Sequence, residues 1–416
     1  MMKMENLFNE DVMALDTYIM VKLKEKTAQL SESLTKKNRA PISLSMGAPT
    51  ANPPEVLIEK LKEFLTEDNI HTYSVTRGEP YFRQAVAQRM KDRFGVELDA
   101  DKEVFSLLGS KDGLANLIRF ITTPKHEEFE KDIILVPDPG YASYGQMVQC
   151  SGGKAYPIPL TKENNYQPDL DSVIEKLEAD GYDSSKVKAV VINYPNNPLG
   201  VCATREYVQS VIDFCNKRDI LLIADAAYCD LYFDEGEKPF SALELKGAKD
   251  VTVELFSLSK PYAITGWRLG WICGNSDVIS RFAKAKSTID NGIFKALQKA
   301  CAYVMVSSEG EDYIAQGNAA YRRKQSIMVK GLKELGWPID ESALPKTTFY
   351  LWMPIPRKYD SSFKFCKDLL EKSGVVVVPG DAFGACGQGY FRISFVCSDE
   401  KLQEVIARMK ADGFKY

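Results

Sequence analysis

Residues 257–271 read SLSKPYAITGWRLGW. Two serines, a lysine, two glycines and an arginine stand among residues that otherwise suit a pair of buried strands. A Lys at the end of an apolar run, with an Arg eight residues on, needs a chemical reason, because both side chains normally seek water. The run that precedes it, VTVELFSLS (251–259), ends in Ser257 and Ser259 immediately before Lys260. Working outward, DILLIAD (219–225) ends in Asp225, with Tyr228 three residues later, and VKAVVINY (187–194) runs into Asn193, Asn196, Asn197, Pro198 and Gly200. Alone, Asn-Asn-Pro suits a turn, a terminal Asp suits a helix cap and a Lys suits solvent. On three consecutive strands they bring an amide, a carboxylate, a phenol and an amine to one edge of one sheet.

The pattern continues in both directions. EVFSLL (103–108), DIILVPD (132–138) and GKAYPIPL (153–160) read as further strands, while GLANLIRFITT (113–123) and REYVQSVIDFCNKR (205–218) carry helical spacing. Such alternation predicts an α/β fold with a mainly parallel sheet covered on both faces, and ligands at the carboxyl ends of its strands. Beyond residue 300 the pattern changes to a long helical stretch (310–336), TTFYLWMP (347–354), a helix, VVVVPG (375–380), GYFRISFV (389–396) and a final helix. This predicts a smaller α+β domain. The first residues hold one amphipathic helix, TYIMVKLKEKTAQLSESL (17–34), before the turn-rich MGAPTANPP (46–54). The expected division is an N-terminal arm (1–45) contributing to the small domain, a large domain (46–300) and a small C-terminal domain (301–416).

Composition removes several function classes. The 416 residues are 45% hydrophobic and carry 53 basic against 57 acidic side chains, a net charge of −4, with the charges interspersed. That argues against nucleic acid or an anionic membrane as a partner. No apolar run approaches a membrane span, and MMKMENLFNEDV at the start carries acids where a secretory signal has a basic flank, so a soluble, cytoplasmic protein is expected. Nine cysteines lie far apart without a CxxC, which reads as reduced, mostly buried thiols and no metal site. His71 and His126 are the only histidines, and His126 sits in the polar TTPKHEEFEKD (122–132), so catalysis falls to another base. There is no G-x-x-x-x-G-K-[ST], and GACGQG (384–389) lacks the spacing and position of a dinucleotide loop.

From SMGAP (45–49) to GYFRIS (389–394), the chain resembles the fold-type I pyridoxal phosphate (PLP) enzymes, and within them the class I/II aminotransferases. The most specific segments are NYPNNPLG (193–200), DAAY (225–228) and SLSKPYAITGWRLG (257–270). GAKDVTVELFSLSK (247–260), KSTIDNGIFKALQ (286–298) and TTFYLWMPIP (347–356) are similar to the branch of LL-diaminopimelate and prokaryotic aspartate aminotransferase-like enzymes. The resemblance implies a type I PLP-transferase fold with a seven-stranded sheet in the large domain. It implies Lys260 as the amine that carries PLP and moves a proton at the substrate Cα. Asp225 becomes the buried carboxylate that keeps the pyridine nitrogen protonated, and Tyr228 and Asn197 the partners of the ring's phenolic oxygen, lowering the pKa of the lysine–cofactor linkage. Ser257 and Arg268 are implied as phosphate contacts, together with the N–H groups of Ser110 and Lys111 where LLGSKDGLANL (107–117) turns into a helix. Tyr141 of VPDPGYASY (136–144) is implied to stack on the ring, with Tyr144 behind it taken as a core aromatic. NIHTYSVTRGEP (69–80) implies that Tyr73 reaches the cofactor phosphate of a neighbouring subunit, and hence a homodimer with the site at the subunit interface. Arg392 is implied to fork onto the substrate α-carboxylate, Gly47 and Asn197 to face the substrate, and Lys111 to meet a second substrate carboxylate.

Ala48 before Pro49, Leu199 in NNPLG and Thr347 before TFYLW depart from residues common in the family, and LDTYIM (15–20) lacks the fuller motif of a diaminopimelate enzyme. None of these removes a catalytic group. The implied activity is a PLP-dependent aminotransferase running a ping-pong cycle between 2-oxoglutarate with glutamate and an acidic or small amino acid such as aspartate. LL-diaminopimelate or alanine is the alternative amino donor. A PLP-dependent β-lyase or decarboxylase, or an inactive PLP-fold binding or regulatory protein, is the alternative on the same scaffold.

Overall fold

The computed structural model describes residues 7–17, 19–234 and 238–416. Tyr18 of the LDTYIM arm therefore lies outside the described residues. In chain order the strands are β1 (Ile42–Ser43), β2 (Val104–Leu107), β3 (Ile133–Asp138), β4 (Lys154–Pro159), β5 (Val187–Ile192), β6 (Leu221–Asp225), β7 (Thr252–Ser257), β8 (Gly270–Gly274), β9 (Tyr350–Pro354), β10 (Val375–Val376), β11 (Val378–Pro379) and β12 (Tyr390–Ser394).

Seven of them form one sheet in the order β2-β8-β7-β6-β5-β3-β4. From β7 to β4 every pairing is parallel, because helices such as Ser143–Cys150, Leu170–Ala179 and Arg205–Arg218 carry the chain back between strands. β8 pairs antiparallel with both β7 and β2. Only the twelve residues 258–269 separate β7 from β8, and they contain no helix, so the crossover that a parallel neighbour needs is missing. β3 and β7 are buried at every position, as a sheet covered on both faces requires. β4 accommodates Pro157 and Pro159 because it is an edge strand, where one row of amides has no ladder to complete.

The C-terminal part packs the antiparallel sheet β11-β12-β9 against the helices Ser308–Glu334, Ser362–Ser373 and Asp399–Ala411, around Phe349, Phe365, Phe391, Leu402 and Val405. The run VVVVPG is split where one strand was expected. β10 pairs with β1 and β11 with β12, so the chain changes partners at Val377. The β1–β10 pair ties the N-terminal segment to this part, and the amphipathic helix, expected at 17–34, runs Ile19–Lys36 with a four-residue helix, Glu10–Met13, before it.

Candidate active site

β5, β6 and β7 lie side by side and end together, so the segments that leave them share one crevice. Asn193 is the hinge between two of these segments. Its Nδ2 donates to the Asp225 carbonyl oxygen at 2.8 Å, and its Oδ1 accepts from the Asn197 N–H at 2.9 Å. After β7 the chain passes Lys260 and re-enters β8 through Arg268, whose φ of 58° lies in the left-handed region. The Arg268 guanidinium donates to Thr265 O at 2.9 Å, Ser259 Oγ at 3.3 Å and Leu108 O at 3.2 Å. It thereby holds the turn into helix Ser110–Ile121. Gly109 precedes that helix at φ 81°, and a Cβ there would run into the Arg268 guanidinium, so the position requires glycine twice over. The helix start has no side-chain cap.

Lys260 Nζ donates to the Gly47 carbonyl oxygen at 2.6 Å. Burial, helped by the charges of Arg268 and Arg392 and opposed by Asp225, pushes its amine down to about 8. Asp225 is itself buried, and burial pushes its carboxyl above the ordinary range. Two donors oppose that shift: the Tyr144 hydroxyl to Oδ2 at 2.6 Å and the Ala227 N–H to Oδ1 at 3.3 Å. Tyr228 meets Tyr350 hydroxyl to hydroxyl at 2.8 Å. From β12 of the C-terminal part, Arg392 Nη1 donates to Asn197 Oδ1 and Nη2 to Ser45 O, each at 2.6 Å. Its Nε is buried with no hydrogen-bond partner among the described residues. A guanidinium has five N–H groups, and with the Nε–H unpaired beside the second N–H of each Nη it can still take a forked anion.

These groups line one cavity of about 400 Å³, and it contains every residue expected from the sequence except one: Gly47, Ser110, Lys111, Tyr141, Asn197, Asp225, Tyr228, Ser257, Lys260, Arg268 and Arg392. The exception is Tyr73, which is 84% exposed and lies outside it. Val75, two residues on, is exposed too, and exposed Phe294 stacks on His71, two residues before Tyr73. Tyr144, expected as a core aromatic, is buried but belongs to the site through Asp225. Its spacing three residues after Tyr141, at a helix start, is the only sequence signal that joins it to the site. Tyr350 and Ile19 also line the cavity without having been expected, because each comes from a distant segment.

The chain matches the model of the family described as aminotransferase class I and II over residues 39–409. It is similar to the LL-diaminopimelate aminotransferase of Halothermothrix orenii, at 40% identity over 90% of this chain and 92% of the relative. It is also similar to the enzyme of the same name from Moorella thermoacetica, at 38% identity over 95% and 96%. Among solved structures it resembles substrate-bound BacF from Bacillus subtilis (TM-score 0.87, 30% identity, 97% of each chain covered). It also resembles Thermus thermophilus aspartate aminotransferase with maleate (TM-score 0.85, 26% identity, 97% of this chain and 99% of that one).

Proposed function

The chain belongs to the aminotransferase class I and II family, PLP-dependent enzymes acting on amino acids and 2-oxo acids, and from that premise we propose the residue roles, the substrate pair and the assembly. The observation that carries the reading is the convergence of Lys260, Asp225 and Arg392 on one cavity. The donor set fits PLP. A depressed amine suits a carbonyl group, a buried acid suits a pyridinium, and an uncapped helix start beside Arg268 suits a phosphate. When bound, PLP supplies an electron sink for the pair left on the substrate carbon while the amino group changes hands.

The protein's own residues do the rest. The Ser110 and Lys111 amides, Ser257 and Arg268 would hold the phosphate, and Tyr141 would cover the ring. Asp225, held by Tyr144, would keep the proton on the ring nitrogen, and Tyr228 and Asn197 would donate to the phenolic oxygen. Arg392 takes the α-carboxylate beside Gly47 and so orients the Cα proton. The Lys260 amine, which burial depresses to about 8 in the cofactor-free protein, would accept that proton and return it, the work a histidine does elsewhere.

The substrate pair we propose is LL-diaminopimelate with 2-oxoglutarate, on the names of the relatives at 38–40% identity. An acidic amino acid such as aspartate is the second reading, favoured by Lys111 on the cavity wall. The exposure of Tyr73 supports a homodimer in which Tyr73 completes the neighbouring site. The arm, large domain and small domain divided at residues 45 and 300 belong to the same proposal. The experiment is the absorbance of purified protein with PLP, before and after glutamate, aspartate, alanine and LL-diaminopimelate in turn. Conversion of the visible band by particular amino acids identifies the donors. No band in the presence of PLP overturns the Lys260 role.

A further inference from the structure

Tyr350, the first residue of β9, is fully buried and has three neighbours that already have roles. Its hydroxyl lies 2.8 Å from the Tyr228 hydroxyl. The Arg392 guanidinium lies 4.3 Å from the centroid of its ring. A Cβ built on Gly47 would collide with its hydroxyl, so the residue whose carbonyl oxygen receives the Lys260 amine is kept small beside Tyr350. A side chain from the C-terminal sheet thus touches the groups assigned to cofactor oxygen and substrate carboxylate, and abuts the glycine that accepts from the Lys260 amine.

We propose that Tyr350 is a positioning residue that donates its hydroxyl proton to Tyr228 and so strengthens the hydrogen bond that Tyr228 gives to the cofactor's phenolic oxygen. The argument is a proton count, and it rests on the role of Tyr228 proposed above. A phenol has one proton. If Tyr228 directs its proton at the cofactor, the 2.8 Å contact with Tyr350 must carry the Tyr350 proton, and Tyr228 accepts it. A hydroxyl that accepts becomes a better donor, because successive hydrogen bonds polarise one another in a low-dielectric site. The other charged or titratable groups facing Tyr228 are Arg392, Tyr141, Tyr144 and Lys260, whose Nζ lies 5.8 Å from the Tyr228 ring centroid. Tyr350→Phe leaves all of these in place and keeps the ring under Arg392.

The readout is the pH midpoint of the visible absorption band of the holoenzyme without amino acid, for the wild type, Tyr350→Phe, Tyr228→Phe and the double variant. Removing the Tyr228 hydroxyl deletes a hydrogen bond to a charged oxygen and raises the midpoint by about 1–2 pH units. Removing its polarising partner costs a tenth to a third of that, so Tyr350→Phe raises the midpoint by about 0.1–0.7 unit in the wild-type background and not at all in Tyr228→Phe. A rise for Tyr228→Phe with none for Tyr350→Phe overturns the relay and leaves the Tyr228 role standing. The same rise in both backgrounds overturns it too, because Tyr350 then acts by another path. No rise for either variant removes the Tyr228 role and the relay with it. Should Tyr350→Phe fail to fold, Gly47→Ala crowds the Tyr350 hydroxyl away from Tyr228. A raised midpoint in that variant that disappears in the Tyr228→Phe background supports the relay, and an unchanged one overturns it.

Discussion

Changing Tyr144 to Phe removes one hydroxyl and leaves a ring that is already buried, with 1% of its surface exposed. The lost contact is the 2.6 Å bond to Asp225 Oδ2. Burial holds the Tyr144 hydroxyl well above its ordinary pKa, so it remains a donor throughout the working pH range. A hydrogen bond to a charged acceptor contributes about 1.5–3 kcal/mol, against about 1 for a neutral pair. The Asp225 carboxyl already titrates above its ordinary value of 3.8 because of burial. Its ionised form therefore costs stability, and the cost is absent below the unfolded pKa and complete above the folded one. The variant raises the folded pKa further. In the cofactor-free protein its penalty should be about 1 kcal/mol at acid pH, where Asp225 is neutral in both states, and about 1.5–3 kcal/mol at pH 8. Urea unfolding at the two pH values measures the difference. In the holoenzyme the less stabilised carboxylate should lower kcat roughly tenfold, about 1.4 kcal/mol of barrier, with KM nearly unchanged. An equal penalty at both pH values would show that Asp225 is not ionised against Tyr144, and the pairing argument would fail.

Three further outcomes are expected. Arg392→Lys keeps the charge but loses the fork, so kcat/KM should fall about 10²-fold, from the 1.5–3 kcal/mol of a charge-assisted bond, while the holoenzyme spectrum stays as in the wild type. The Lys260 amine is depressed from 10.5 to about 8, and only its free base attacks a carbonyl. The rate at which cofactor-free protein takes up PLP, followed by absorbance, should therefore rise through pH 8 and level off, where a solvated lysine would keep rising to about pH 10.4. Asp230→Asn removes one of the two carboxylates paired with buried Arg89, at 3.0 Å, and leaves Glu311 at 2.6 Å, so urea unfolding should show a loss of about 1.5–3 kcal/mol.

The large sheet could be read from the sequence because its strands are short, nearly continuous apolar runs, each ended by polar residues and separated by helical spacing. The reading was weaker where partners decide structure. Four consecutive valines at 375–378 look like one strand, yet the first two complete a pair with β1 and the fourth joins β12. Nothing local distinguishes them, because the difference lies in which distant backbone each amide meets. The antiparallel entry of β8, in contrast, follows from a short connection that the sequence states directly.

The site divides along the same line. Lys260, Asp225, Asn197 and Arg268 stand at strand ends or in turns where their residue types are unusual, so each is visible in its own segment. Tyr144 and Tyr350 are aromatic residues in apolar surroundings, and buried aromatics are ordinary core. What makes them part of the site is a hydroxyl partner 81 residues away for Tyr144 and 122 residues away for Tyr350, a contact that only the fold creates. Both act on groups the sequence did reveal, since Tyr144 bears on Asp225 and Tyr350 on Tyr228. A sequence therefore displays the residues that meet cofactor and substrate more readily than the residues that set their protons, because the first must break the local apolar pattern and the second can lie within it.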